Sequence, residues 1–157
     1  MAWPSDADLA DLVSRFTSHT LPKGEWTHRA HLAVGAWHVS EFGPDRALAL
    51  LRSGIQTLND SHGTANTDSG GYHETITRAY VVLIAEFLRR LPTSDADLSG
   101  RVRELLASPL AARDALLAYY SKGRLFSIEA RREWVEPDLS PVGLERLFGA
   151  IAGAAHE

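Results

Sequence analysis

The chain has no cysteine among its 157 residues. That excludes disulfides, thiolate metal ligands and thiol nucleophiles, and it fits a cytoplasmic protein. It also has no run of lysine and arginine, and its formal net charge is −4. A basic stripe for nucleic acid is therefore missing. Long apolar runs are absent too. The stretch from Ala79 to Leu88 carries Glu86, and it is much shorter than the roughly 20 residues needed to span a bilayer. The first residues, Met1-Ala2-Trp3-Pro4-Ser5-Asp6, show no basic segment followed by an apolar one, so no signal peptide is expected. These absences leave a small molecule as the expected partner, without nucleic acid or membrane, and leave the oligomeric state open.

What is present reads as one helical domain over residues 1–157. A hydrophobic fraction of 45% and a charged fraction of 23% suit a globular chain with a proper core. Ser5-Asp6-Ala7-Asp8 has the form of a capping box. Leu9, Leu12, Val13 and Phe16 then recur at helical spacing. Leu21-Pro22-Lys23-Gly24 ends that helix, and Thr27 or Glu25 starts a second that runs to Phe42 before Gly43-Pro44. A third helix is predicted from Asp45 to Asn59, a loop from Ser61 to Gly71, and a fourth helix from Tyr72 to Leu91. Pro92 to Asp95 reads as a break. Shorter helices are predicted over Leu98 to Ala107, Leu110 to Tyr120 and Ser127 to Trp134, and a last one from Ser140-Pro141 onward. The expected fold is all-α, a compact multi-helix bundle with short irregular helices toward its C-terminal end.

The chemistry concentrates where two of these helices begin. Glu25-Trp26-Thr27-His28-Arg29-Ala30-His31 sets two histidines three residues apart, and side chains so spaced converge on one helix face. His28, His31, Gly35 and His38 share that face. On the fourth helix His73, Thr77 and Tyr80 line up in the same way, with Ile84 continuing the row. A helix N-terminus disfavours protonation of a nearby imidazole, so His73 is expected to be neutral, as a metal ligand or general base must be. Three readings follow. His28, His31 and His73 hold a divalent metal (zinc, iron, manganese or nickel), with Glu74 or Glu25 as a fourth ligand or base. Alternatively the same residues form a metal-free pocket, with Glu25, Glu74 and Tyr80 as catalytic groups. In the third, the histidines are structural. No glutamate lies between His28 and His31 as in zinc proteases, since Arg29 and Ala30 fill the gap. His38 is expected at the edge of the core, and His19, His62 and His156 in solvent.

Two further clusters add candidates. Asn66-Thr67-Asp68-Ser69-Gly70-Gly71-Tyr72 leads into His73 and Glu74. It lacks the lysine and spacing of a P-loop, but such a loop can close over a site. This makes Asn66 and Tyr72 candidate ligand-binding residues. Arg124 and Arg131 lie in the run Arg124-Leu125-Phe126-Ser127-Ile128-Glu129-Ala130-Arg131. As planar forks they suit a carboxylate or phosphate. The competing reading pairs them internally with Glu129, Glu133, Glu136 or Asp138, while Tyr120, Phe126 and Trp134 belong to the core.

Three blocks together carry a resemblance: Glu25-Trp26-Thr27-His28-x-Ala30-His31-Leu32, Gly71-Tyr72-His73-Glu74-Thr75-Ile76-Thr77, and Leu125-Phe126-Ser127-x-Glu129-Ala130-Arg131 with Glu136-Pro137-Asp138-Leu139. From about Leu21 to Leu139 the chain resembles a family of small, all-helical bacterial proteins of uncharacterised function. The resemblance supplies no reaction and no cofactor. It implies that the blocks belong together, lining one cavity made by the second helix, the fourth helix and the Arg124–Arg131 segment. The leading expectation is thus a small-molecule enzyme with a His/Glu pocket between helices. The alternatives are a non-catalytic ligand-binding module using that pocket, or a helical interaction protein.

Overall fold

Ser5 starts the first helix through a complete capping box: its hydroxyl accepts from the Asp8 amide, and the Asp8 carboxylate accepts from the Ser5 amide. The computed structural model describes residues 2–92 and 97–145. Among these, every regular element is helical. They are α1 (Asp6–Thr17), α2 (His28–Phe42), α3 (Pro44–Ser61), α4 (Glu74–Arg90), α5 (Leu98–Leu106), α6 (Lys122–Leu125) and α7 (Ile128–Arg132). Single 3-10 turns occupy Lys23–Glu25, Pro109–Ala111 and Ala115–Ala118. The all-α bundle expected from the sequence is the fold observed. No described helix is long and apolar enough to cross a membrane.

The centre of the molecule is α2, which packs against α1, α3, α4 and α5. Its sequence explains why. Ala30, Leu32, Ala33, Val34, Ala36 and Val39 are all buried, so the helix has almost no polar face and is covered nearly all round. Thr27 caps it, accepting from the Ala30 amide at 3.1 Å. The amphipathic helices α1, α3 and α4 turn one face each toward this core. Gly54 on α3 permits the closest approach, since a Cβ there would stand 2.8 Å from the Phe16 ring of α1.

The C-terminal part departs from expectation. Leu110 to Tyr120 forms two 3-10 turns in place of one helix, although Leu and Ala favour α-helix. Tertiary hydrogen bonds take over its end: the Tyr119 carbonyl accepts from the Leu139 and Ser140 amides, and the Tyr119 hydroxyl donates to the Gly143 carbonyl at 2.6 Å. The short α6 was not expected. The helix expected from Ser140-Pro141 starts late: Pro141 to Gly143 are not helical, and Leu144 and Glu145 are. The residues beyond Glu145, His156 among them, lie outside the described ones, as do Thr93 to Asp95 of the expected break. Thr75 fixes the backbone at Glu133 and Val135, just after α7, to α4. Its hydroxyl donates to the Glu133 carbonyl at 2.8 Å and accepts from the Val135 amide at 3.2 Å.

Candidate functional site

The start of α2 and the middle of α4 face each other across a cavity of about 520 Å³. Leu51 and Ile55 of α3 and Val81 and Ile84 of α4 make its apolar walls, with Leu116 and Leu117 closing it from the 3-10 turn. Its polar lining consists of His28, His31, Thr77, Tyr80, Arg113 and Asp114. Phe126, 59% exposed, stands at the rim. A concave, mainly apolar pocket with a few convergent polar groups is the usual form of a small-molecule site, and this one opens to solvent on the side of His31 and Phe126.

The imidazoles differ in state. His31 lies flat on Trp26, ring centroids 3.7 Å apart, and Nδ1 donates to the Thr27 carbonyl at 2.7 Å. A carbonyl can only accept, so this bond places the proton on Nδ1 and leaves a lone pair on Nε2. Enclosure by protein pushes His31 down to about 4, with the Thr27 carbonyl opposing and His28 adding repulsion. The ring is nevertheless exposed, and the surface it presents is cavity wall. Water there moderates the depression without changing its sign. His28 meets Tyr80 edge-on, centroids 5.6 Å apart. Burial lowers its pKa, against the nearby Leu110 carbonyl, and Arg113 lowers it further. Burial likewise raises Tyr80 to about 12, helped by Asp114 and Tyr119. At neutral pH all three groups are uncharged. Among the described residues, Nε2 of His28 and the hydroxyl of Tyr80 are buried without a partner in hydrogen-bond geometry, although the Leu110 and Ala112 carbonyls lie close enough to His28 to act on its charge.

His73 does not join them. Its Nδ1 caps α4 by accepting from the Ile76 amide at 3.1 Å, while Nε2 donates to the Leu125 carbonyl at 2.7 Å. Both nitrogens are committed, so the expected role of His73 as a metal ligand is corrected to that of a cap and strap, tying α4 to the cavity-lining Leu125. No cluster of three potential metal ligands exists among the described residues. His28 and His31 remain as a pair.

Glu74 is likewise elsewhere. It faces a second, polar cleft of about 470 Å³ with Asn66, Tyr72, Arg78, Arg131 and Trp134. Arg52 grips it with two bonds of 2.8 and 2.6 Å, and the Tyr72 hydroxyl donates to it at 2.7 Å. The Arg52 bonds hold its pKa below the usual carboxylate range despite burial. The same carboxylate helps raise the pKa of Tyr72, after the larger effect of burial. A carboxylate so held is a poor proton acceptor, which corrects its assignment as a base. Asn66 uses its side chain to bind the Gln56 carbonyl, Asn59, Asp60 and the Tyr72 amide. Gly71 beside it has φ +78°, and a Cβ there would stand 2.5 Å from the Ala65 carbonyl.

The remaining candidates also make bonds within the chain. Arg131 donates through Nη1 to the Gly71 and Tyr72 carbonyls at 3.0 and 3.3 Å, and Arg124 through Nε to the Glu136 carbonyl at 2.7 Å. Part of each guanidinium thus holds backbone in place, where the sequence suggested a carboxylate partner. Glu25 forms an exposed ion pair with Arg15 at 3.0 Å and lines neither pocket. His38 is buried deeper than expected, 3% exposed, and donates to the Val34 carbonyl. His62 is half-buried rather than solvated, bound to the Leu21 carbonyl at 2.7 Å.

The three sequence blocks therefore line two pockets, not one. His28, His31 and Tyr80 reach the apolar cavity, while Asn66, Tyr72, Glu74 and Arg131 belong to the polar cleft. Comparison with family models, curated proteins and solved structures finds no match to the chain. Sequence reasoning missed Trp26, Arg113 and Asp114 as cavity residues. Trp26 was visible in the first block, but the other two were hidden inside a segment that reads as helix.

Proposed function

We propose that the chain binds a small, mainly apolar molecule in the cavity between α2 and α4. One observation carries this reading: the Tyr80 hydroxyl on that wall is buried with no hydrogen-bond partner among the described residues, and Nε2 of His28 beside it makes no bond of good geometry, although the Leu110 and Ala112 carbonyls are near its ring. A buried group left unsatisfied costs about 1–3 kcal/mol, a cost that a hydrogen-bonding guest in the cavity would relieve. A second reading, favoured by the lone pair on His31, makes the site an enzyme in which this imidazole accepts a proton from the bound molecule. The motif blocks, on this view, supply one ligand wall and one scaffold. No metal step is assigned, because His73 has no free nitrogen.

A thermal-stability screen against apolar metabolites tests the reading. A ligand at 100 times its Kd adds about 2.7 kcal/mol to a folded state that alone binds it. Hits are expected with the wild type and should disappear in Leu117→Trp, whose larger ring occupies the cavity. Hits that survive the plug would place binding elsewhere.

A further inference from the structure

Resting on that cavity reading, we infer that the ligand is a neutral, mainly hydrocarbon molecule carrying one hydroxyl, which docks against the His28–His31–Tyr80 wall. The argument begins with the hydrogen-bond inventory. His31 offers an acceptor only, because its single proton is engaged by the Thr27 carbonyl. Tyr80 brings an O–H with no acceptor, and His28 brings a further unpartnered nitrogen. These groups form one continuous wall, since His28 and His31 lie three apart on α2 and the His28 ring contacts that of Tyr80. A hydroxyl is the simplest group that answers both kinds of demand. Its proton goes to Nε2 of His31, and its oxygen is the acceptor that the Tyr80 hydroxyl lacks. A bare carbonyl leaves the His31 lone pair unmet, and a hydrocarbon leaves all of them unmet.

Charge and size narrow the class further. Arg113 and Asp114 sit side by side on the lining with opposite charges, so the cavity presents no net charge to a bound ion. An ionised carboxylate would lose its hydration against walls that are otherwise Leu, Ile and Val, at a large cost. Since a cavity of ~150 Å³ holds benzene, the 520 Å³ here accommodates at least two fused rings or a chain of comparable bulk.

The test uses two matched series in equilibrium dialysis: 2-naphthol, naphthalene and 2-naphthoate, and 1-octanol, octane and octanoate. In at least one series the alcohol is expected to bind about 3- to 10-fold more tightly than the hydrocarbon, the range of one net hydrogen bond. The carboxylate should bind most weakly. Tyr80→Phe, which keeps the ring, and His31→Phe, which removes the acceptor, should each bring alcohol and hydrocarbon affinities together. Equal affinity of alcohol and hydrocarbon in the wild type, or preferred binding of the carboxylate, would overturn the ligand class while leaving the cavity reading intact. Failure of all six probes would count against the cavity reading itself.

Discussion

The two pockets have similar volumes, about 520 and 470 Å³, yet their polar groups are in opposite conditions. In the polar cleft nearly every named donor and acceptor is spent: Glu74 on Arg52 and Tyr72, Asn66 on four partners, Arg131 on two carbonyls. In the apolar cavity His28, His31 and Tyr80 each keep a group unspent. A side chain whose hydrogen-bonding capacity is used up holds the fold. One with capacity left over, on the wall of a mainly apolar pocket, can serve a ligand. Residue types do not make this distinction: both pockets contain a tyrosine, and both were approached through a histidine near a helix start.

The sharpest way to break the comparison is Glu74→Ala. It removes the common acceptor of Arg52 and Tyr72, and the Glu74 side chain is only 11% exposed. Arg52, 43% exposed, regains some hydration, which limits the loss. Unfolding in urea is expected to show a cost of about 3 kcal/mol, as for a partly buried charged hydrogen-bonded group. A loss below about 1 kcal/mol would mean that the cleft is not the scaffold described here.

Next in size is an acid dependence centred on the histidines. Burial depresses the pKa of His28, His31, His38 and His73. Each then binds fewer protons folded than unfolded. The stability they contribute is complete above the unfolded value of about 6.5 and is lost as pH falls through the depressed folded values. For His73 the reason is direct: a protonated Nδ1 cannot accept from the Ile76 amide. Asparagine is a good cap and does not titrate. His73→Asn should therefore weaken the loss of stability between pH 7 and pH 5 by up to about 1.4 kcal/mol per pH unit. An unchanged slope in denaturation series at pH 5, 6 and 7 would show that His73 protonates without disturbing the cap.

The same residue shows how far the sequence could be read. Caps and periodicity made α1 and α2 legible, because Ser5 and Thr27 act within three residues of the amides they bind. The convergence of His28 and His31 was legible for the same local reason. What distinguishes a capping His73 from a ligating one is the Leu125 carbonyl, 52 residues away, and no local pattern encodes it. Glu74 depends in the same way on Arg52, 22 residues earlier. The Leu110–Tyr120 segment shows the other side of the limit. Its helix formers are overruled by bonds from Leu139, Ser140 and Tyr119 to distant backbone, and that override is what brings Arg113 and Asp114 to the cavity.

The smallest effect is also the cleanest discriminator, since it makes one chemical change in both pockets. Tyr72→Phe deletes a hydroxyl that donates to Glu74 at 2.7 Å. Tyr80→Phe deletes one that is buried with no partner. The first should cost about 1–1.5 kcal/mol, because the Glu74 carboxylate loses a donor that water replaces poorly. In ligand-free protein the second should be neutral or stabilising by up to about 1 kcal/mol, because it removes an unmet desolvation penalty and leaves packing intact. Equal losses from the two changes, measured in parallel urea titrations, would mean that Tyr80 is satisfied within the folded chain. The cavity would then lose its distinction from the cleft. Opposite signs would place unmet hydrogen-bonding capacity at the junction of α2 and α4, as a ligand wall there requires.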